Sequence, residues 1–88
     1  MLQIIVIHGE SSQRIDEIRN RETGISLAKF NEKDGCIDLS VLKSHIQKNI
    51  LITHFIRHNE CTSLSYEQVR TLTKVDTDKD GIMYMEFN

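Results

Sequence analysis

The sequence has few of the residues that mark specialised protein classes. Its 88 residues include no proline, four glycines and two cysteines, and the net charge is −2. The two cysteines, Cys36 and Cys61, are too few for a disulfide framework, so we expect reduced thiols in a cytoplasmic protein. Without an excess of positive charge, no electrostatic field attracts nucleic acid or an anionic membrane, and we expect neither as a partner.

Long apolar segments and catalytic motifs are also missing. The longest apolar run, Leu2 to Ile7, is interrupted by Gln3. It is too short to cross a bilayer and lacks the flanks of a secretory signal. No Ser/His/Asp set, phosphate-cradling glycine loop or pair of catalytic acids is visible, so we expect no enzymatic activity. The composition, 39% hydrophobic and 27% charged, is that of one small soluble domain.

Two similar Asp-Gly turns organise the remaining pattern. Asp34-Gly35 precedes Cys36-Ile37, and Asp80-Gly81 precedes Ile82. The spacing of apolar residues around these turns predicts helices, and Ser65 followed by Gln68 resembles a capping box. The predicted helices cover residues 13–24, 25–30, 40–57 and 66–75. The sequence therefore predicts an all-α fold in which a helix-loop-helix pair has a short β-bridge between its loops.

Three aspartates alternate immediately before the second glycine. Asp76, Asp78 and Asp80 lie two residues apart, and Gly81 can adopt the backbone angles of a tight turn. Carboxylates that converge in such a loop supply the oxygen ligands that Ca²⁺ prefers. This spacing predicts a cation site.

These residues resemble the binding loop of the EF-hand calcium-binding superfamily, of the calmodulin-like sensor type. The resemblance implies that Asp76, Asp78 and Asp80 are the first, third and fifth loop positions. With one residue missing after Gly81, Ile82 takes the apolar eighth position and Glu86 the bidentate twelfth. The resemblance thus implies an acidic loop over 76–86 that binds Ca²⁺ or Mg²⁺. Its implied ligands are Asp76, Asp78, Asp80, Ile82 (through its backbone) and Glu86.

An upstream loop at about 31–41 resembles a degenerate partner of the acidic loop. Lys33 replaces an acceptor and Val41 replaces the glutamate, so its expected role is structural. The resemblance implies an antiparallel bridge between Ile37 and Ile82, with Gly35 and Gly81 shaping the two turns. It covers residues 25–88 and leaves 1–24 as an N-terminal segment of uncertain role.

Three functions are compatible with the sequence. The first is a calcium sensor that engages a protein target or amphipathic helix, and the second is a calcium-independent adaptor. The third is a regulatory piece of a larger protein. His54, His58 and Cys61 have a spacing that can also hold Zn²⁺, although an exposed polar flank explains them better. The partner-binding residues and the oligomeric state stay open.

Overall fold

The computed structural model describes all 88 residues and contains one six-stranded β-sheet. Its elements, in chain order, are β1 (Leu2–His8), β2 (Gln13–Asn20), β3 (Ser26–Lys29), a 3₁₀ helix (Ser40–His45), β4 (Asn49–His58), β5 (Cys61–Thr77) and β6 (Met83–Phe87). The strand order across the sheet is β3-β2-β1-β4-β5-β6. β1 and β4 pair in parallel, and every other pairing is antiparallel.

Register shifts bend this sheet into a curled half-barrel. Each antiparallel pairing contains one, and the shift between β4 and β5 follows His54 and leaves Ser65 without a partner. An extra residue in one strand bends that strand and increases the local twist. The shifts therefore account for the curvature.

The two faces of the sheet differ. Side chains at alternate positions, such as Ile4 and Ile50, form the core on one face, which we call the covered face. The segment that contains Leu39 and Leu42 packs there. The opposite face, which we call the second face, carries the intervening residues of β1 and β4. These residues are Gln3, Ile5, Ile7, Leu51 and Thr53, all buried.

The all-α prediction is wrong. Strands account for 60% of the residues, and no helix reaches seven residues. The predicted helix over 40–57 is a single 3₁₀ helix followed by β4, and the predicted helix over 66–75 lies inside β5. The run Ile50-Leu51-Ile52-Thr53 is apolar or β-branched at every position because both of its faces are buried. This pattern belongs to a central strand.

The expected bridge between the two loops is also wrong. No β-bridge joins Ile37 to Ile82; the isolated bridge in that region joins Asn31 to Cys36. The N-terminal segment, whose role was uncertain, supplies β1 and β2, and β1 lies between β2 and β4 near the middle of the sheet. No helix of the protein is long and apolar enough to span a membrane.

Candidate functional site

The first half of β5 has a neighbour on one side only. Residues 61–71 of this 17-residue strand pair with β4, whereas β6 pairs only from Leu72 to Thr77. The backbone of residues 61–71 therefore forms a free edge of the sheet. Because Ser65 is unpaired and the Thr71 carbonyl accepts from the Asn88 amide, the regular part of this edge runs from Tyr66 to Arg70, roughly 17 Å at 3.3 Å per residue.

Hydrogen bonds at Leu72 and Thr71 show which backbone groups point outward. The Leu72 amide donates to the Lys48 carbonyl and the Leu72 carbonyl accepts from the Gln47 amide, so both point towards β4. The Thr71 carbonyl accepts from the Asn88 amide on the other side. Backbone groups alternate in direction along a strand. The N–H and C=O groups of Val69 and Glu67 therefore point away from β4, where no strand pairs with them.

Side chains on the covered face hold the free edge against the inner strands. The Tyr66 ring stacks on the His54 ring, with centroids 4.1 Å apart, and the His54 ring stacks on His8 at 5.0 Å. His54 Nδ1 lies 2.8 Å from His8 Nε2, and its Nε2 lies 3.3 Å from the Gln68 amide nitrogen. The Gln68 amide nitrogen can only donate, so Nε2 of neutral His54 accepts from it. The Nδ1–H of His54 then donates to Nε2 of His8.

This arrangement favours the neutral form of His54. Burial, followed by the charge of His8, lowers the pKa of His54 below its ordinary value. His54 is 8% exposed, so a proton added there meets poor solvation and a neighbouring imidazole. The stack is therefore a hydrogen-bonded unit that joins β1, β4 and β5 and contains a His54 that favours its neutral form.

A second chain of hydrogen bonds crosses four strands on the second face. Arg19 Nε donates to Gln3 Oε1, Gln3 Nε2 donates to Thr53 Oγ1, and Thr53 Oγ1 donates to Glu67 Oε2, each at 2.8 Å. All three donors point from the cation of β2 towards the carboxylate of β5. Glu67 on the free edge is thereby fixed in place from the centre of the sheet.

The free edge lacks several of the devices that discourage strand addition, although it carries two charged side chains, Glu67 and Arg70, and the bulge at Ser65. Residues 61–71 contain no proline, glycine or lysine. Val69 is 55% exposed and Tyr66 is 50% exposed. Natural edge strands are commonly shielded by lysine, proline, very short length or a covering segment. The bulge at Ser65 interrupts the edge, and from Tyr66 to Arg70 no strand pairs with β5 on the side away from β4.

The predicted metal ligands lie on the hairpin between β5 and β6. Asp76 is opposite Tyr84 in the ladder, and Glu86 is opposite Lys74. The tip contains Asp78, whose Oδ1 accepts from the amides of Asp80 and Ile82 and so closes the turn. Glu86 is four residues along β6 from Ile82, roughly 13 Å away at 3.3 Å per residue.

The structure contains no group of three or more His, Cys, Asp or Glu side chains placed to hold a metal ion. The predicted helix-loop-helix arrangement is wrong because these residues form a β-hairpin, and the metal-binding hand that it implied is absent. Binding of Ca²⁺ or Mg²⁺ by Asp76, Asp78, Asp80, Ile82 (through its backbone) and Glu86 stays a prediction. In the structure Asp78 closes the turn, and Asp76 Oδ1 accepts from the Thr77 amide.

The two Asp-Gly turns face one cleft. A cavity of about 690 Å³ is lined by residues of both turns, among them Gly35, Ile37, Gly81 and Ile82. Both glycines have positive φ, +68° and +82°, as their predicted turn role requires. The sequence repeat thus corresponds to two turns that lie close together, although they belong to a sheet.

Comparisons with protein-family profiles, curated proteins and solved structures find no match for this chain. The candidate site therefore depends on its geometry alone. Sequence reasoning missed the free edge, although Thr62, Tyr66, Val69 and Thr71 belong to types enriched in strands. These strand-enriched residue types were the sequence signal from which β5 could have been predicted.

Proposed function

We propose that this chain is a protein-binding module that accepts an added β-strand along the free edge of β5. The observation that carries the proposal is the pair of residues Glu67 and Val69, whose backbone N–H and C=O groups point outward from an ordered strand. Strand addition uses such groups for affinity and the neighbouring side chains for specificity. The proposed activity is binding rather than catalysis.

Pre-organisation supports the same proposal. Tyr66 and Gln68 are held by His54 on one face, and Glu67 is held by Thr53 on the other. A partner strand would therefore meet a surface that needs little ordering, which reduces the entropic cost of association. Val69, which no side-chain hydrogen bond constrains, supplies an exposed apolar contact at the centre of the edge.

The test is selection from a displayed library of random 12-residue peptides. We expect wild type to enrich peptides with alternating β-branched or aromatic residues, and Val69→Lys to lose most of that capture because an edge lysine blocks strand pairing. The matched control is Ile82→Lys at the hairpin tip, where the replaced side chain is 63% exposed. Equal capture by wild type and Val69→Lys would contradict the proposal.

The same selection separates this function from calcium sensing. The free edge involves none of the predicted ligands, which are Asp76, Asp78, Asp80, Ile82 and Glu86. We therefore expect the same peptide capture with millimolar Ca²⁺ and with a chelator. Capture that needs Ca²⁺ would favour the sensor function that the acidic spacing predicts.

A further inference from the structure

The free edge of β5 is self-complementary, and we infer that its partner is a second copy of this chain, paired antiparallel through β5 about a two-fold axis at Gln68. This inference rests on the proposed function, because it names the strand that occupies the proposed edge. It follows from the limits of the free edge, the direction of its backbone groups and the side chains that would meet.

The limits of the free edge select the register. Pairing with β6 begins at Leu72, and the unpaired Ser65 ends the regular edge on the other side. The usable stretch between Tyr66 and Arg70 is centred on Gln68. A two-fold axis at Gln68 therefore places Tyr66 to Arg70 of one copy against the same stretch of the other. Residues 61–65 of each copy must then diverge at the Ser65 bulge, because Asn88 and β6 of the other copy occupy the outer side of Thr71 to Thr77.

The backbone groups match in this register. Glu67 of one copy faces Val69 of the second, and Val69 of the first faces Glu67 of the second. In an antiparallel ladder, each such pair exchanges two N–H···O=C bonds. The outward groups of Glu67 and Val69 are thereby satisfied in both copies. Registers shifted by one residue would oppose outward groups to inward ones.

The side chains match as well. Tyr66 of each copy lies opposite Arg70 of the other, which is a favourable arrangement of a guanidinium and an aromatic ring. Arg70 already lies 5.9 Å from the centroid of the Phe87 ring in its own chain. Glu67 lies opposite Val69, so no two like charges are directly opposed, which would destabilise the ladder.

The size of the contact sets the expected strength. A pairing this short buries less than a standard interface of about 1,600 Å², so we expect a weak dimer with a dissociation constant on the order of 0.1 mM. Such a dimer would form at high local concentration and exchange rapidly with other strands of similar character.

Sedimentation equilibrium of the full chain between 10 µM and 1 mM tests the dimer. We expect wild type and Ile82→Lys to approach dimer mass at the top of this range, and Val69→Lys to stay monomeric, with at least a tenfold weaker association. Amide NMR spectra of each variant establish that the sheet is retained. Equal association of all three proteins would overturn the inference.

Cross-linking tests the register. In a background of Cys36→Ser and Cys61→Ser, Gln68→Cys places two thiols across the axis, where Cα atoms of a non-hydrogen-bonded pair lie about 4.5 Å apart, within disulfide range. Arg70→Cys places its thiols roughly 13 Å apart along the strand, beyond that range. We expect rapid disulfide dimers from Gln68→Cys only. Equal cross-linking of both variants would overturn the register.

The two proposals can fail separately. If wild type stays monomeric at 1 mM while displayed peptides still bind in a manner that Val69→Lys abolishes, the second copy is not the partner and the strand-binding function stands. If the chain neither dimerises nor captures peptides, both proposals fail.

Discussion

The Tyr66 ring lies nearly parallel to the His54 imidazole, with an interplanar angle of 13°. Tyr66 is half exposed on the free edge, whereas His54 is buried and shares a hydrogen bond with His8. A half-exposed side chain of the edge is thus packed on a buried group whose charge state depends on pH. Stability and edge geometry are therefore expected to change together as His54 titrates.

Acidification should destabilise the fold in a defined window. The pKa of His54 is lowered in the folded protein, so between that value and about 6.5 the unfolded chain binds more protons than the folded one. The contribution of neutral His54 to the free energy of unfolding is therefore complete above pH 6.5. It decreases as the pH drops below that value and levels off below the pKa of His54 in the folded protein. The slope for one proton is at most about 1.4 kcal/mol per pH unit. Urea unfolding at closely spaced pH values from 8 to 5 measures it.

The variant His54→Gln provides the control for this pH dependence. It removes the titrating ring and should flatten the slope between pH 5 and 7, whatever its effect on stability at pH 8. The other groups with lowered pKa, Glu22 and Asp38, are carboxylates that lose their contribution only at more acidic pH. A slope that persists in His54→Gln would assign the effect to another group.

Thr53 is the centre of the hydrogen-bond chain on the second face. It is 2% exposed, accepts from Gln3 and donates to Glu67. Thr53→Val keeps the shape but leaves the buried Gln3 amide without its acceptor, which we expect to cost about 1–3 kcal/mol in the free energy of unfolding. The matched control is Thr71→Val, whose hydroxyl donates to Asn49 on the exposed surface. Chemical denaturation of Thr71→Val should show a decrease in the free energy of unfolding below about 0.5 kcal/mol. Equal decreases in Thr53→Val and Thr71→Val would contradict the explanation by burial.

Replacement of Gly81 should destabilise the fold because of its backbone conformation alone. Its φ is +82°, and an added Cβ would meet no atom within 4 Å. Gly81→Ala therefore tests the conformation without a steric clash, and we expect a loss of about 1–2 kcal/mol in the free energy of unfolding. Gly9 does not have a positive φ, and its added Cβ would make ordinary contacts at 3.6 Å. Thermal unfolding of Gly9→Ala should show a change near zero, and a loss as large as that of Gly81→Ala would contradict this explanation.

Local turn chemistry could be predicted from the sequence, whereas the sheet could not. The positive φ at Gly35 and Gly81 follows from the Asp-Gly pattern. The spacing of Leu42, Ile46 and Ile50 imitates a helical stripe, but Leu42 lies in the 3₁₀ helix and Ile50 in β4. The parallel pairing of β1 with β4 joins residues about 48 positions apart, for example Ile4 and Ile52. No local pattern specifies such a contact, so the free edge, which depends on strand order, could not be located either.

Amide hydrogen exchange tests the free edge directly. Gln68 and Arg70 have their N–H groups directed towards β4, whereas those of Glu67 and Val69 face solvent in a single copy. In a 20 µM sample, below the expected dimer concentration, NMR should therefore show slow exchange at Gln68 and Arg70 and fast exchange at Glu67 and Val69. Raising the concentration to 1 mM should slow exchange at Glu67 and Val69 while leaving Ile82, which is hydrogen-bonded within its own turn, unchanged. The exchange rate of an amide hydrogen depends on whether it is hydrogen-bonded or open to water. Equal protection at all four edge positions in the dilute sample would therefore mean that both sides of β5 are already paired, and would contradict the free edge.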